Sequence, residues 1–265
     1  MNQESPVSKS ESFTRVQSVE RVFRLLETLV MHTEMSLGHL AEEVGVHKST
    51  AYRLLQTLVQ LGYVEQNDTQ GSYRVGLRMV EIGGMASRSW PLHRAAEPIM
   101  DYLASQLQEA VNLAVEDGIE MVYVATIDAH QPLRMQLNVG RRAPIYCTAV
   151  GKAVLAHHPG LLQRLRQQQP ELPRFTEQTL TDWDRLEAEL ARIRECGYAV
   201  DNEEQVAGAR CVAAPIVDYR NHVSAAIGIS APTAQLSRER ADEVGSRIVE
   251  AARQISERLG YMDKK

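Results

Sequence analysis

The 265-residue sequence predicts an α+β protein in two parts: an N-terminal winged helix-turn-helix, then a larger domain with an antiparallel sheet covered by helices. Three observations predict it. Between Leu37 and Gln56 two short helical patterns meet at Gly45. Leu40, Val44, Val46, Ala51 and Leu54 are apolar where steeply crossing helices touch, and Ala41 is small where they come closest. A strand hairpin follows, Tyr63-Val64-Glu65 and Ser72-Tyr73-Arg74-Val75, around a turn of Asn67, Asp68, Thr69, Gln70 and Gly71. Beyond Pro91 the patterns run helix, strands, helices, strands, helix, the order of one sheet with helices laid over it.

Residues 1–14 are polar and serine-rich and read as a disordered arm. Without an apolar core they suit neither a signal peptide nor a membrane span, so a cytoplasmic protein with no membrane partner is expected. From Ser18, a candidate N-cap, Val19, Val22, Phe23, Leu26, Leu29 and Val30 recur at helical spacing to about Met31. Ser36 can cap the next helix, Leu37–Glu43. Gly45 then takes a left-handed turn at least cost, and a second helix runs from about His47 to Leu61, stopped by Gly62. Its face left free by the apolar residues carries His47, Lys48, Ser49, Thr50, Tyr52 and Arg53, and no acid occurs from Val44 to Val64. Such donors suit phosphates and base edges, so residues 15–76 are expected to bind double-stranded DNA. Gln70, Tyr73 and Arg74 of the hairpin can touch the DNA backbone or minor groove, although a plain surface hairpin explains each equally well. One recognition helix covers only a few base pairs, so a homodimer on a palindromic operator is expected.

Residues 77–90 read as a linker helix, with Leu77, Val80, Ile82 and Met85 apolar and Gly83-Gly84 inviting a bend or a dimer contact. Residues 91–265 form the second domain. It starts with a helix at Leu92–Leu107 that Pro98 can kink, then strands at Val111–Glu116, Met121–Ile127 and Leu133–Val139. Helices follow at Thr148–His157, Leu161–Gln168 and Asp182–Glu195, the last closed by Gly197. Strands return at Tyr198–Asp201, Cys211–Val217 and Val223–Ser230. A final helix, Ser237–Leu259, buries Val244, Ile248, Ala251, Ile255 and Leu259.

The chemistry of this second domain is less explicit. A formal charge of −5 and a pI near 5.9 argue against a non-specific coat for nucleic acid. Cys147, Cys196 and Cys211 contain no Cys-x-x-Cys, which suits reduced thiols and offers neither a disulfide framework nor a structural zinc site. The run Asp201-Asn202-Glu203-Glu204 reads better as a solvated loop than as a metal site, and His157-His158 at most as an opportunistic one. Arg134, Arg141 and Arg142 could serve acidic ligands but read better as solvated surface. Thr148 can cap a helix whose first free amides would favour a carboxylate, with Ala149 and Gly151 small enough for close approach. A glycine-containing helix packed on a sheet accounts for the same residues equally well. There is no cofactor fingerprint, phosphate loop or Gly-x-Ser-x-Gly elbow, so no cofactor is expected and an enzyme using Cys147 or Cys211 is the weaker reading. A DNA-binding protein whose second domain only oligomerises is the remaining alternative.

Several stretches resemble one known family in register. Ser18-Val19-Glu20-Arg21 onward to Leu29, His47-Lys48-Ser49-Thr50-Ala51-Tyr52-Arg53-Leu54-Leu55 and Gly71-Ser72-Tyr73-Arg74-Val75-Gly76 resemble the winged-helix domain of the IclR family of bacterial transcriptional regulators. Thr148 to Ala156, Gly197 to Glu204 and Cys211 to Ile216 resemble its effector-binding domain. The resemblance implies a GAF-like effector domain, dimers that often pair into tetramers, and control of an operon for small carbon compounds or aromatic acids; both repressors and activators occur in the family, and a repressor is expected here. It places the backbone amides of Ala149, Val150 and Gly151, together with Asp201, Cys211 and Ser230, against a small organic acid. Gly228 departs from members that carry a hydroxyl there, which implies room for a larger ligand.

Overall fold

The computed structural model describes residues 15–67, 71–128, 135 and 137–262, in two compact units divided between Ala86 and Ser87. The expectations for residues 1–14, Gln70 and Arg134 lie outside the described residues.

In the first unit, α1 (Gln17–His32) buries Leu25, Leu26 and Leu29 on one side. It begins one residue before Ser18. Val16 holds the N-cap position with no side-chain bond, so Ser18 lies inside the first turn and does not cap it. The next helix, α2 (Leu37–Val44), is capped as expected, with the Ser36 side chain accepting from the His39 amide at 3.4 Å. Gly45 stands at φ 73°, ψ 40° in the left-handed region, and its amide donates back into α2. Helix α3 (Lys48–Gln60) then buries Ala51, Leu55 and Leu58.

A small antiparallel sheet completes this unit. It contains a strand absent from the sequence reading, β1 (Glu34–Ser36), beside the hairpin strands β2 (Val64–Gln66) and β3 (Ser72–Val75), in the order β1-β3-β2. The three residues of β1 are too few for a readable alternation; pairing and Glu34 hold them. The Glu34 carboxylate accepts from Asn67 Nδ2 at 3.2 Å and closely from Ser72 Oγ, bonds that lower its pKa. Helix α4 (Leu77–Ser89) follows, with no buried residue and with Leu77, Val80 and Met85 exposed.

The second unit opens with α5 (Pro91–Leu107), which contains Pro98. Its sheet is built from β4 (Ala110–Asp117), β5 (Glu120–Ile127), β6 (Arg142–Pro144), β7 (Ala199–Asn202), β8 (Ala209–Val217) and β9 (Val223–Pro232). They lie in the order β6-β5-β4-β9-β8-β7, every pair antiparallel. Of the expected third strand Leu133–Val139, Leu133, Arg134 and Gln136 lie outside the described residues; Met135 and residues 137–139 are irregular, and Arg142–Pro144 pairs with β5. The alternating sequence up to Val139 imitates a strand, yet among the described residues the ladder with β5 lies after the turn at Gly140, φ 87°.

Alternation along the strands divides the core into two layers. Ile227 and Ile229 of β9 and Val212, Ala214 and Ile216 of β8 face α5 and α9 (Arg238–Arg258). Ala226 and Ala213 face the other layer, made by α6 (Ala149–Leu155), α7 (Pro159–Gln168) and α8 (Trp183–Cys196). Residues 228 and 230 of β9, and 211 of β8, share the parity of this second face.

Candidate functional site

Two groups of functional side chains were expected, one in each unit. In the first unit, His47 is the N-cap residue of α3 and Lys48, Ser49 and Thr50 form its first turn. His47, Lys48, Ser49, Tyr52 and Arg53 are exposed, and Thr50 is half-buried. Among the described residues Lys48 and Arg53 have no carboxylate partner, and α3 itself contains no acid. The helix thus presents unneutralised donors beside its own N-terminus, an arrangement suited to an anionic backbone.

The hairpin departs from expectation. Tyr73 is only 2% exposed and packs into the apolar core of this unit, because β3 is the central strand and its side chain points inward. It is not placed to touch DNA. Arg74 is exposed but its guanidinium forks onto Glu65 across the hairpin, Nε at 2.9 Å and Nη2 at 2.8 Å. That pair neutralises the charge for which Arg74 was singled out.

In the second unit, strand register aligns three of the expected residues. Asp201 on β7 pairs with Cys211 on β8, and Cys211 pairs with Ser230 on β9, so the three side chains form one row across adjacent strands. Helix α6 packs over β7, β8 and β9 on the same side. Thr148 caps α6, accepting from the Gly151 amide at 3.1 Å and donating to Pro144 O at 2.9 Å. Gly151's amide is therefore spent inside the cap. Those of Ala149 and Val150 remain without a partner among the described residues.

The glycine itself also has a different cause from the one expected. A Cβ at Gly151 would stand 2.6 Å from Ile145 Cα, so the residue is small to let α6 lie on the Ile145 backbone rather than to admit a ligand. Gly228 is similar: a Cβ there would meet Val212 O at 2.6 Å and Ala213 Cβ at 2.8 Å. Strand packing occupies the room that its lack of a side chain was expected to leave.

The acidic run 201–204 is not a wholly solvated loop. Asp201 is 4% and Glu204 5% exposed. Lys152 of α6, 1% exposed, reaches Val200 O at 2.7 Å and closely pairs with Glu204, while Glu189 lies 3.8 Å away. The Glu204 amide donates to Asp201 Oδ1 at 2.7 Å. Burial, and after it the Glu204 charge, push the Asp201 carboxyl up to about 7 against the pull of Lys152 and of backbone amides. Burial also pushes the Cys211 thiol up to about 12 and raises Cys147 further, so neither is a thiolate at neutral pH.

Arg141 is half-buried and its carbonyl accepts from the Tyr123 amide at 3.0 Å. Its charge acts on both Tyr123 and Cys211, which puts it nearer the row than a solvated surface residue. Arg142 does lie at the surface, bridged to Asp117 and to Glu120. Sequence reasoning missed Lys152 and Glu204, which are far apart in the chain; a lysine inside the otherwise apolar Ala149–Leu155 was the available signal. A surface cavity of about 740 Å³ on the other face of the sheet, bordered by Leu92, Arg94, Ile216 and Arg258, contains none of the expected effector residues. Among the described residues no group of three or more His, Cys, Asp or Glu could hold a metal, and no helix is long and apolar enough to cross a membrane.

Known proteins share this arrangement along nearly the whole chain. Residues 18–68 match the IclR helix-turn-helix domain, and residues 85–257 match the domain described as bacterial transcriptional regulator IclR C-terminal. The HTH-type transcriptional regulator KdgR of Escherichia coli (strain K12) is 38% identical over 248 residues, 94% of either chain. The crystal structure of the Thermotoga maritima IclR superposes with a TM-score of 0.78 at 30% identity, covering 92% of this chain and 99% of that one. An IclR homolog from Microbacterium hydrocarbonoxydans, crystallised in complex with 4-hydroxybenzoate, superposes with a TM-score of 0.79 at 28% identity over 92% and 99% of the two chains. A winged helix-turn-helix with an unpaired basic helix, joined to a helix-covered antiparallel sheet and matched throughout by such proteins, is a transcriptional regulator: the chain belongs to the IclR family.

Proposed function

We propose that the protein is a ligand-responsive repressor that binds a palindromic operator as a homodimer, able to pair into a tetramer, and releases it when a small organic acid occupies the second unit. The observation that carries the ligand reading is the row Asp201–Cys211–Ser230, polar, in register on three strands and covered by α6. Polar groups in a core without a ligand role lower stability, so their alignment beneath a helix that carries two spare amides favours a binding site. The amides of Ala149 and Val150, with Arg141 as an added positive charge, take the carboxylate of the acid. Asp201 and Ser230 take its polar far end, and Cys211 lines the wall. Asp201 tolerates an anionic ligand because its own pKa, near 7, leaves it partly protonated at neutral pH. A hydroxylated acid suits these groups, and the Microbacterium homolog was crystallised with such an acid, 4-hydroxybenzoate.

His47, Lys48, Ser49, Thr50, Tyr52 and Arg53 make the DNA contacts of this reading. Gel-shift titration on the promoter region of the protein's own operon, with and without acids of the adjoining pathway, tests it. Release of DNA by one acid, together with calorimetric binding of that acid to the full-length protein, is the expected result. DNA binding that no such acid alters would leave the second unit as an oligomerisation domain.

A further inference from the structure

Asn112 on β4 is a buried polar residue for which the effector reading so far has no use. It is 1% exposed and stands directly opposite Gly228 on the neighbouring strand β9. Its Nδ2 donates to Ser230 Oγ at 3.0 Å, which extends the row Asp201–Cys211–Ser230 onto a fourth strand. Its Oδ1 is buried with no hydrogen-bond partner.

The bond to Ser230 sets the orientation of the amide. Ser230 Oγ accepts from Asn112 Nδ2 and keeps its own hydroxyl proton for another acceptor. The nitrogen of Asn112 then faces Ser230 and the oxygen faces away from it. Gly228 provides no side chain to satisfy that oxygen, and none fits there, since a Cβ would meet Val212 O at 2.6 Å. A buried carbonyl oxygen without a donor is costly, and the cost disappears when a bound molecule brings a donor to it.

We infer that Asn112 is a specificity-determining residue of the effector site, whose Oδ1 accepts a hydrogen bond from a hydroxyl of the ligand, so that the site selects hydroxylated acids over the same acids without the hydroxyl. This rests on the effector reading of the row. A site built to bond a hydroxyl rejects the analogue lacking it, because the buried acceptor is then left unpaired.

Calorimetry on the full-length protein tests the inference with three matched pairs: glycolate and acetate, lactate and propionate, and 4-hydroxybenzoate and benzoate. Wild type should bind the hydroxy member of at least one pair about tenfold or more tighter. Asn112→Leu, near in size and with no polar atom to strand, should bind both members of that pair with similar affinity. Asn112→Ala serves the same purpose if the leucine variant misfolds. Were Asn112 only a support for Ser230, either variant would weaken both members equally and preserve their ratio, which would overturn the inference while leaving the effector site standing. A wild type that prefers the unhydroxylated acids would overturn it as well. Absence of binding by every pair to wild type would instead remove the effector reading itself, and Asn112's role with it.

Discussion

Asp201 shows how one residue's surroundings set a property that its identity does not. Its carboxyl is raised from the ordinary 3.8 to about 7, first by burial and then by the charge of Glu204. A raised folded-state pKa means that the native protein holds a proton the unfolded chain releases. The stability contributed by the protonated form is therefore complete below about pH 4 and is lost as pH rises toward 7. Affinity for an acid effector should fall over the same upper range, as Asp201 acquires its own negative charge. Calorimetry from pH 6 to 8 should show that fall in wild type and a nearly flat profile in Asp201→Asn; parallel profiles would show that Asp201 does not face the ligand. Gly151 makes a contrasting case. Because a Cβ there meets the Ile145 backbone, Gly151→Val should lower stability by about 1–3 kcal/mol or more, the usual cost of overpacking, rather than merely blocking a ligand. Thermal unfolding measures it, and an unchanged melting temperature would contradict the close approach.

At the scale of elements, α6 and α3 are positioned by different means. Helix α6 is tied to the sheet through Lys152, whose ammonium bonds Val200 O and pairs with buried Glu204. Lys152→Met would leave that carboxylate buried and unpaired, a change expected to cost about 3–5 kcal/mol, whereas Lys152→Met with Glu204→Leu should recover most of the loss. Denaturant unfolding of the single and double variants tests this, and a double variant no more stable than the single would sink the account. Helix α3 depends on Gly45 for its entry and on its own lack of acids for its charge. Lys48→Ala and Arg53→Ala should weaken operator binding, and loss of one phosphate contact at Lys48 should reduce the salt slope by about 1. Wild-type gel shifts for both variants would show that α3 is not the recognition element. Tyr73→Phe, altered only at a buried ring, should bind DNA as wild type does.

For the whole molecule, regulation requires that the acid bind the DNA-competent and DNA-incompetent states with different affinity. No contact at the effector site acts on DNA otherwise. A coupling of about 1–3 kcal/mol is typical, which corresponds to roughly a 5–150-fold change in operator affinity at saturating effector. By reciprocity, saturating operator should weaken effector binding by the same factor. Paired titrations in the two orders measure it; unequal factors would mean that a further species, such as a change of oligomeric state, enters the cycle.

The reader was legible in the chain itself. Ser36, Gly45 and Gly62 punctuate short helices, and apolar spacing assigns their inner faces, because helix caps and left-handed turns depend on a few neighbouring residues. Expected strands at Cys211–Val217 and Val223–Ser230 fall within β8 and β9, and the expected final helix Ser237–Leu259 exceeds α9 by one capping residue at each end. What local pattern could not express was pairing between distant residues. β1 exists because β3 lies beside it, and Arg142–Pro144 is a strand because β5 offers it a ladder. Tyr73 looked like a wing contact until β3 proved to be the central strand, and Arg74 looked free until Glu65 came opposite. Residues 201, 211 and 230 could be named from resemblance, but their alignment, the buried Lys152–Glu204 pair and the unpaired oxygen of Asn112 arise only from strand register and layer packing. Backbone geometry of a few residues is encoded locally. The charge state and the partners of a buried group belong to the tertiary structure, because they depend on which distant segments exclude water around it.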